Sequence, residues 1–172
     1  VETIQENHIC RAVIAPAQVD VRLQERAQEI ARACVEAIDG VGMFGIELFL
    51  TSSGDILFNE IAPRPHNSGH YTIEACHASQ FENAVRAVCN LPLGSPAMIA
   101  PAAVMINVLG ERSGSAIPDS VVETLKTPTA SLHLYGKSGS RKGRKMGHIT
   151  ALGATSDEAM QSALTAAKSL IW

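Results

Sequence analysis

The 172-residue sequence predicts an α+β fold in two parts, residues 1–93 and a smaller β-rich part, residues 94–172. Three observations carry this. Short β-branched runs are bounded by turn residues. Three longer segments repeat apolar residues at helical spacing. Between the two parts, Pro92, Gly94, Pro96 and Pro101 cluster in a stretch that no regular element tolerates.

The elements follow in order. Ile9 to Ala15 is a β-rich run stopped by Pro16. Asp20 is placed to cap a helix whose apolar face is Val21, Leu23, Ala27, Ile30, Ala31, Cys34, Val35 and Ile38. Asp39-Gly40 should end it, with Gly in the left-handed position past the last turn. Phe44 to Thr51 and Ile56 to Ile61 read as paired strands around the turn Ser52-Ser53-Gly54-Asp55. Residues 62–71 are too polar and too broken for a regular element. Phe81, Val85, Val88 and Cys89 mark a second helix that closes near Asn90. In the second part, Ala102 to Leu109, Ser131 to Tyr135 and Lys145 to Leu152 read as strands, and Asp157 to Leu170 as a helix.

Composition narrows the function. A chain of this length buries on the order of 70% of its unfolded surface, so a real core is available. Apolar residues make up 46% and charged residues 18%, which argues against disorder. No apolar run approaches the ~18 residues of a membrane span. A net charge of -3 is no footprint for nucleic acid or an anionic membrane, and 4% aromatics is too few for a base-stacking platform. Cys10, Cys34, Cys76 and Cys89 form no C-x-x-C pair, so buried thiols in a reducing compartment are expected. No targeting peptide is visible. The chain starts at Val1 in mid-pattern, and an excerpt of a longer protein is expected.

The hairpin carries the most chemistry. With a four-residue turn at 52–55, Thr51 faces Ile56, Phe49 faces Phe58 and Glu47 faces Glu60. Alternation then puts Glu47, Phe49, Phe58 and Glu60 on one face and Asn59 on the other. Directly opposed like charges are destabilising, so the two carboxylates should share a proton or a cation. Oxygen ligands on a rigid sheet suit Mg²⁺, with substrate phosphates completing its shell. A one-residue register slip, or two solvated glutamates on an open face, remains the alternative.

The loop Pro63-Arg64-Pro65-His66-Asn67-Ser68-Gly69-His70 follows at once. It gathers a guanidinium, two imidazoles, an amide and a hydroxyl, the equipment for holding a phosphate or carboxylate. A solvated turn would have the same composition. His70, Glu74 and His77 do not make the H-E-x-x-H zinc pattern. A second concentration of charge lies at Lys137, Arg141, Lys142, Arg144 and Lys145, on a glycine-containing connection between two strands. It reads as an anion clamp or as a solvated hairpin tip.

The run Phe44-Gly45-Ile46-Glu47-Leu48-Phe49, followed by Asn59-Glu60-Ile61-Ala62-Pro63-Arg64-Pro65-His66-Asn67-Ser68-Gly69-His70, resembles the ATP-grasp 5-(carboxyamino)imidazole ribonucleotide synthases. Gly136-Lys137-Ser138 and Gly143-Arg144-Lys145-Met146-Gly147-His148 resemble the C-terminal domain of the same family. The likeness is strongest to the synthase part of the fungal bifunctional phosphoribosylaminoimidazole carboxylases, in which a carboxylase domain follows.

The resemblance implies the C-terminal lobe of an ATP-grasp domain followed by a small β-rich C-terminal domain. It implies ATP- and bicarbonate-dependent carboxylation of 5-aminoimidazole ribonucleotide through carboxyphosphate, in purine synthesis. Glu47 and Glu60 would hold Mg²⁺. Asn59, Glu60 and Gln5 would line the nucleotide site, although Gln5 stands where the family commonly has His. Arg64, His66 and Asn67 would serve the carboxyphosphate step, with His66 or His70 managing protons. Lys137 and Arg144 would hold the ribonucleotide 5′-phosphate. The family's adenine hinge and glycine-rich loop lie upstream, so the chain is expected to lack the N-terminal lobe and to be inactive alone. A cytoplasmic homodimer is expected, with no nucleic acid and no membrane. Two other readings keep part of the pattern. Another ATP-grasp carboxylate–amine ligase, such as a formate-using one, would keep the glutamates without the whole loop. A non-catalytic dimerisation module would show an apolar patch and no Mg·ATP binding.

Overall fold

A computed structural model describes residues 1–170; Ile171 and Trp172 lie outside the described residues. The chain forms two compact units, residues 17–97 and a second made of residues 1–16 with residues 98 onward. The opening residues thus join the later sheet, whereas reading along the chain groups them with the first part.

The sheet unit holds strands β1 (Glu2–Glu6), β2 (Ile9–Ala15), β5 (Ala102–Leu109), β6 (Ala130–Leu134) and β7 (Lys145–Gly153). They form one antiparallel sheet in the order β1-β2-β5-β7-β6. β1 has no counterpart in the sequence reading. Its residues are all exposed, so no alternating pattern marks it. Asn7 and His8, at φ 50° and 62°, make the two-residue turn into β2. β5 and β7 lie inside the sheet, and Val104, Met105, Ile149 and Ala151 are fully buried. Asn107, also buried, donates from Nδ2 to the Cys10 carbonyl at 2.9 Å and ties β5 to β2.

One helix covers this sheet: α4 (Ser156–Lys168). Thr155 caps it by accepting from the Glu158 N–H at 3.2 Å, and the Glu158 carboxylate reaches back to the Ala154 N–H at 3.0 Å. Ala159, Ala163 and Ala166 face the sheet without exposure, packing on Val104 with Ala151 and on Val108, Met146 and Ile149. Small side chains at this helical spacing let the helix lie close to the strands.

The hairpin unit holds α1 (Val21–Glu36), β3 (Gly45–Leu50), β4 (Ile56–Ala62), α2 (Thr72–Ala75) and α3 (Gln80–Val88). Asp20 caps α1 as expected, accepting from the Arg22 N–H at 2.8 Å. The left-handed residue after α1 is Asp39, at φ 48°, rather than Gly40. The loop at 62–71 contains a short 3-10 turn, Asn67–Gly69, that its polarity concealed. Ser79 caps α3, accepting from the Glu82 N–H at 3.1 Å. The apolar stripe of α3 faces outward: Phe81, Val85 and Val88 are exposed, as is Cys89. The buried residues of α3 are polar, Gln80 and Asn83. No disulfide joins any of the four cysteines.

Candidate functional site

The β3–β4 hairpin keeps half of the expected register. Gly45 pairs with Ala62, Ile46 with Ile61 and Glu47 with Glu60. Beyond Glu47 the ladder slips by one residue, so Leu48 faces Phe58, Phe49 faces Leu57 and Leu50 faces Ile56. The expected pairs Phe49–Phe58 and Thr51–Ile56 are therefore replaced. The cause is a bulge that leaves Asn59 as the extra residue of β4. Strict alternation would aim Asn59 away from Glu47. Instead, its Nδ2 donates to Glu47 Oε2 at 3.2 Å.

His66 approaches the same carboxylate from the loop, with Nε2 3.6 Å from Glu47 Oε1. Gly45 permits this, since a Cβ there would stand 2.6 Å from the His66 Cβ. One ligand atom from each of Glu47, Glu60 and His66 lies within 4.8 Å of the others. Glu47 is half-buried and Glu60 is exposed, so the cluster has a fixed base and an open side. Two hard carboxylate oxygens with access to solvent fit Mg²⁺, which retains waters and takes phosphate oxygens. The imidazole suits a softer ion better, and its Nε2 stands at ion-pair distance from Glu47, longer than a hydrogen bond.

The loop itself is held by short bonds. His66 caps the 3-10 turn, its Nδ1 2.9 Å from Ser68 Oγ and 3.5 Å from the Ser68 N–H. An imidazole nitrogen facing a backbone N–H is an acceptor, which leaves the proton on Nε2, toward Glu47. Gln80, only 7% exposed, reaches the loop from the start of α3. Its Oε1 accepts from the His66 N–H at 2.9 Å and its Nε2 donates to the His66 carbonyl at 2.8 Å. Gly69 makes room, because a Cβ there would lie 2.4 Å from Gln80 Oε1. Thr72 Oγ1 donates to the Gly69 carbonyl at 2.6 Å and accepts from the Gln80 N–H at 2.9 Å. The His70 ring stacks on Phe81 with centroids 5.5 Å apart. Below the loop, burial pushes the Tyr71 hydroxyl up to about 12, and burial also raises the Cys76 thiol. Arg64 is exposed, and its Nη1 donates to the Pro65 carbonyl at 3.1 Å. Asn67 is half-buried in the 3-10 turn.

The structure therefore gathers Glu47, Asn59, Glu60 and His66, with Arg64 and Asn67 on the adjoining loop. Gln5, Lys137 and Arg144 belong to the sheet unit. Gln5 is exposed on β1, at a register shift opposite Cys10. The basic connection is more than a hairpin tip. Arg144 Nη1 donates to the Gly139 carbonyl at 2.7 Å, and Ser140 bridges to Gly114. Lys137 Nζ lies 5.9 Å from the centre of the Tyr135 ring. Gln80 and Asn83 escaped the sequence reading. Their only signal is an amide on the side of α3 opposite its apolar stripe.

Two family models match the chain: the ATP-grasp domain over residues 1–81, and the phosphoribosylaminoimidazole carboxylase C-terminal domain over residues 103–162. Among curated relatives, N5-carboxyaminoimidazole ribonucleotide synthase of Synechococcus elongatus is 49% identical over 169 residues, 96% of this chain and 42% of its own. Phosphoribosylaminoimidazole carboxylase of Schizosaccharomyces pombe is 48% identical over 154 residues, 87% of this chain and 28% of its own. The chain belongs to the ATP-grasp N5-carboxyaminoimidazole ribonucleotide synthase family. Solved members of the family share the fold. The synthetase of Thermotoga maritima superposes with a TM-score of 0.87 at 50% identity, covering 94% of this chain and 47% of that one. The Aspergillus clavatus synthase, solved with ADP and 5-aminoimidazole ribonucleotide, gives 0.85 at 43% identity, covering 96% and 45%. The chain thus spans less than half the length of these relatives. Among the described residues no helix is long and apolar enough to cross a membrane.

Proposed function

We propose that this chain carries the metal and anion half of an ATP- and bicarbonate-dependent active site that carboxylates 5-aminoimidazole ribonucleotide in purine synthesis. The observation that carries the reading is the opposed pair Glu47–Glu60, steadied by Asn59 across a bulge and by His66 from the loop. A structural hairpin gains nothing from facing carboxylates.

Glu47 and Glu60 would hold Mg²⁺. Bound there, it would neutralise charge on the ATP phosphates during phosphoryl transfer to bicarbonate. Asn59 fixes one Glu47 oxygen through its amide and leaves the other oxygen toward His66. Together with Glu60 it would line the nucleotide side of the site. Arg64, exposed and ahead of the 3-10 turn, would stabilise the anionic charge of carboxyphosphate, with His66 and Asn67 as hydrogen-bonding partners. Carboxyphosphate would release phosphate and CO₂, and the exocyclic amine of the ribonucleotide would attack the CO₂ carbon. Lys137 and Arg144 would hold the 5′-phosphate.

The division of labour follows sequence order, with residues 1–93 as the C-terminal part of the ATP-grasp domain and 94–172 as the small C-terminal domain. An N-terminal lobe of the same protein would supply the adenine hinge. The enzyme would act as a cytoplasmic homodimer. A carboxylase domain after this chain would add lyase activity. The test is ATP hydrolysis by the full-length protein in bicarbonate and Mg²⁺, with and without 5-aminoimidazole ribonucleotide. Stimulation by the ribonucleotide that disappears in Glu60→Ala supports the proposal; an intact protein without stimulation overturns it.

A further inference from the structure

Gln80 makes three hydrogen bonds whose directions can all be assigned. A backbone N–H can only donate, so the atom 2.9 Å from the His66 N–H is the amide oxygen. A backbone carbonyl can only accept, so the atom 2.8 Å from the His66 carbonyl is the amide nitrogen. The two backbone groups thereby fix the orientation of the side-chain amide, which is otherwise ambiguous. The second hydrogen of that nitrogen faces His70 Nδ1 at 2.9 Å. An N–H that faces a ring nitrogen at this distance requires a lone pair on it. A protonated Nδ1 would set two donors head to head.

We propose that Gln80 is a positioning residue that holds His70 as the neutral tautomer with its proton on Nε2. In this state His70 has no basic nitrogen at Nε2. Of the two histidines open to a proton-handling role, His70 is thereby assigned a protonated Nε2 and an Nδ1 engaged by Gln80. The placement is backed by the packing around it. Gln80 is buried, Thr72 Oγ1 accepts from its backbone N–H, and the Phe81 ring lies against the imidazole. Asn83, three residues along the same helix, makes a similar reciprocal pair with the Gly94 backbone, 2.8 Å to its N–H and 3.2 Å to its carbonyl. That second amide touches no imidazole in the loop, so it serves as an internal control for a purely structural clamp. The catalytic meaning of the assignment rests on the carboxylation reading; the tautomer itself does not.

The experiment is ¹⁵N NMR of histidine rings in the full-length protein. A pyridine-type Nδ1 and a protonated Nε2 are expected for His70, with an N–N coupling across the hydrogen bond to the Gln80 amide. A protonated Nδ1, or no such coupling, overturns the proposal without any variant. In Gln80→Glu the carboxylate accepts rather than donates, and the His70 proton should move to Nδ1. In the same variant kcat should fall about 10- to 100-fold, the range for a lost partner that orients a histidine, while the KM for ATP stays within about twofold. An unchanged His70 tautomer in folded Gln80→Glu overturns the proposal, as does a loss of activity matched by Asn83→Asp. Failure of ribonucleotide-stimulated hydrolysis in the wild type would strike the carboxylation reading and leave the ring assignment to the NMR result.

Discussion

The sheet unit and the hairpin unit are ordered by different forces. In the first, β5, β7 and α4 enclose Val104, Met105, Ile149, Ala151 and three alanines of α4 with no exposed surface. In the second, α1 has no buried residue, and Phe49 and Phe58 on the hairpin are 58% and 48% exposed. What pins the hairpin unit's loops is a set of polar clamps, Gln80 on His66, Thr72 on Gly69 and Asn83 on Gly94. The difference is instructive. Apolar burial is strong and non-directional, which suits a scaffold. Hydrogen bonds are weak in net terms but fix direction, which suits a site where a carboxylate and an imidazole must meet at a set angle.

That contrast can be broken, beginning with its largest consequence. Ile149→Ala removes a fully buried side chain between the sheet and α4, and should cost about 2–5 kcal/mol; urea denaturation measures it. A loss below ~1 kcal/mol would show that the sheet unit is not held by its core. Next, Glu60→Ala in the full-length protein should cut ATP turnover on the order of 10²–10³-fold, comparable to losing one preorganised electrostatic partner, with circular dichroism unchanged. If turnover persists, the hairpin does not carry the metal site. Asn59→Ala tests the bulge. It removes one hydrogen bond to Glu47, and the KM for Mg·ATP should rise about tenfold, at the lower end for a bond to a charged group.

A smaller effect appears only in alkali. Tyr71 has its hydroxyl raised from the ordinary 10 to about 12, because burial penalises the phenolate and the Cys76 thiolate adds to it. The folded state therefore binds this proton more tightly than the unfolded state. Its contribution is complete below pH 10 and is lost as pH rises towards 12. Raised Cys76 acts in the same direction. Tyr71→Phe should flatten the fall in stability between those pH values, as read by melting temperature; an unchanged slope would place the alkaline sensitivity elsewhere. The smallest effect sharpens the contrast most directly. Phe58→Ser on the exposed hairpin face should change unfolding free energy by no more than about 0.5 kcal/mol, at most about a tenth of the ~5 kcal/mol upper limit for a core loss.

Much of the fold was legible wherever burial and periodicity coincide. The runs at 9–15 and 102–109 appear as β2 and β5 with the expected limits, because both are apolar strands in a covered sheet. The helix cap at Asp20 is local chemistry and needed no tertiary context. β1 was not legible, since an exposed edge strand of sequence ETIQE has no apolar alternation and is a strand only through pairing with β2. On α3 the usual inference inverted. Phe81, Val85 and Val88 mark the helix correctly, yet the side that packs on the loop carries Gln80 and Asn83.

For the site, the sequence by itself led to Glu47 opposite Glu60, and that pair is kept because the bulge at Asn59 offsets a connection, 51–55, one residue longer than the expected turn. It also determined that a loop of Arg64, His66, Asn67 and His70 follows within a few residues of that pair. Only the tertiary structure decided that β4 bulges at Asn59, which turns a side chain expected on the far face toward Glu47. It alone decided that His66 reaches Glu47 over Gly45 and that Gln80 sets the loop from fourteen residues away. The physical reason is one of range. Alternation and capping are set by neighbours a few residues apart, whereas a bulge, a close backbone approach and a buried amide clamp exist only once distant segments compete for the same space.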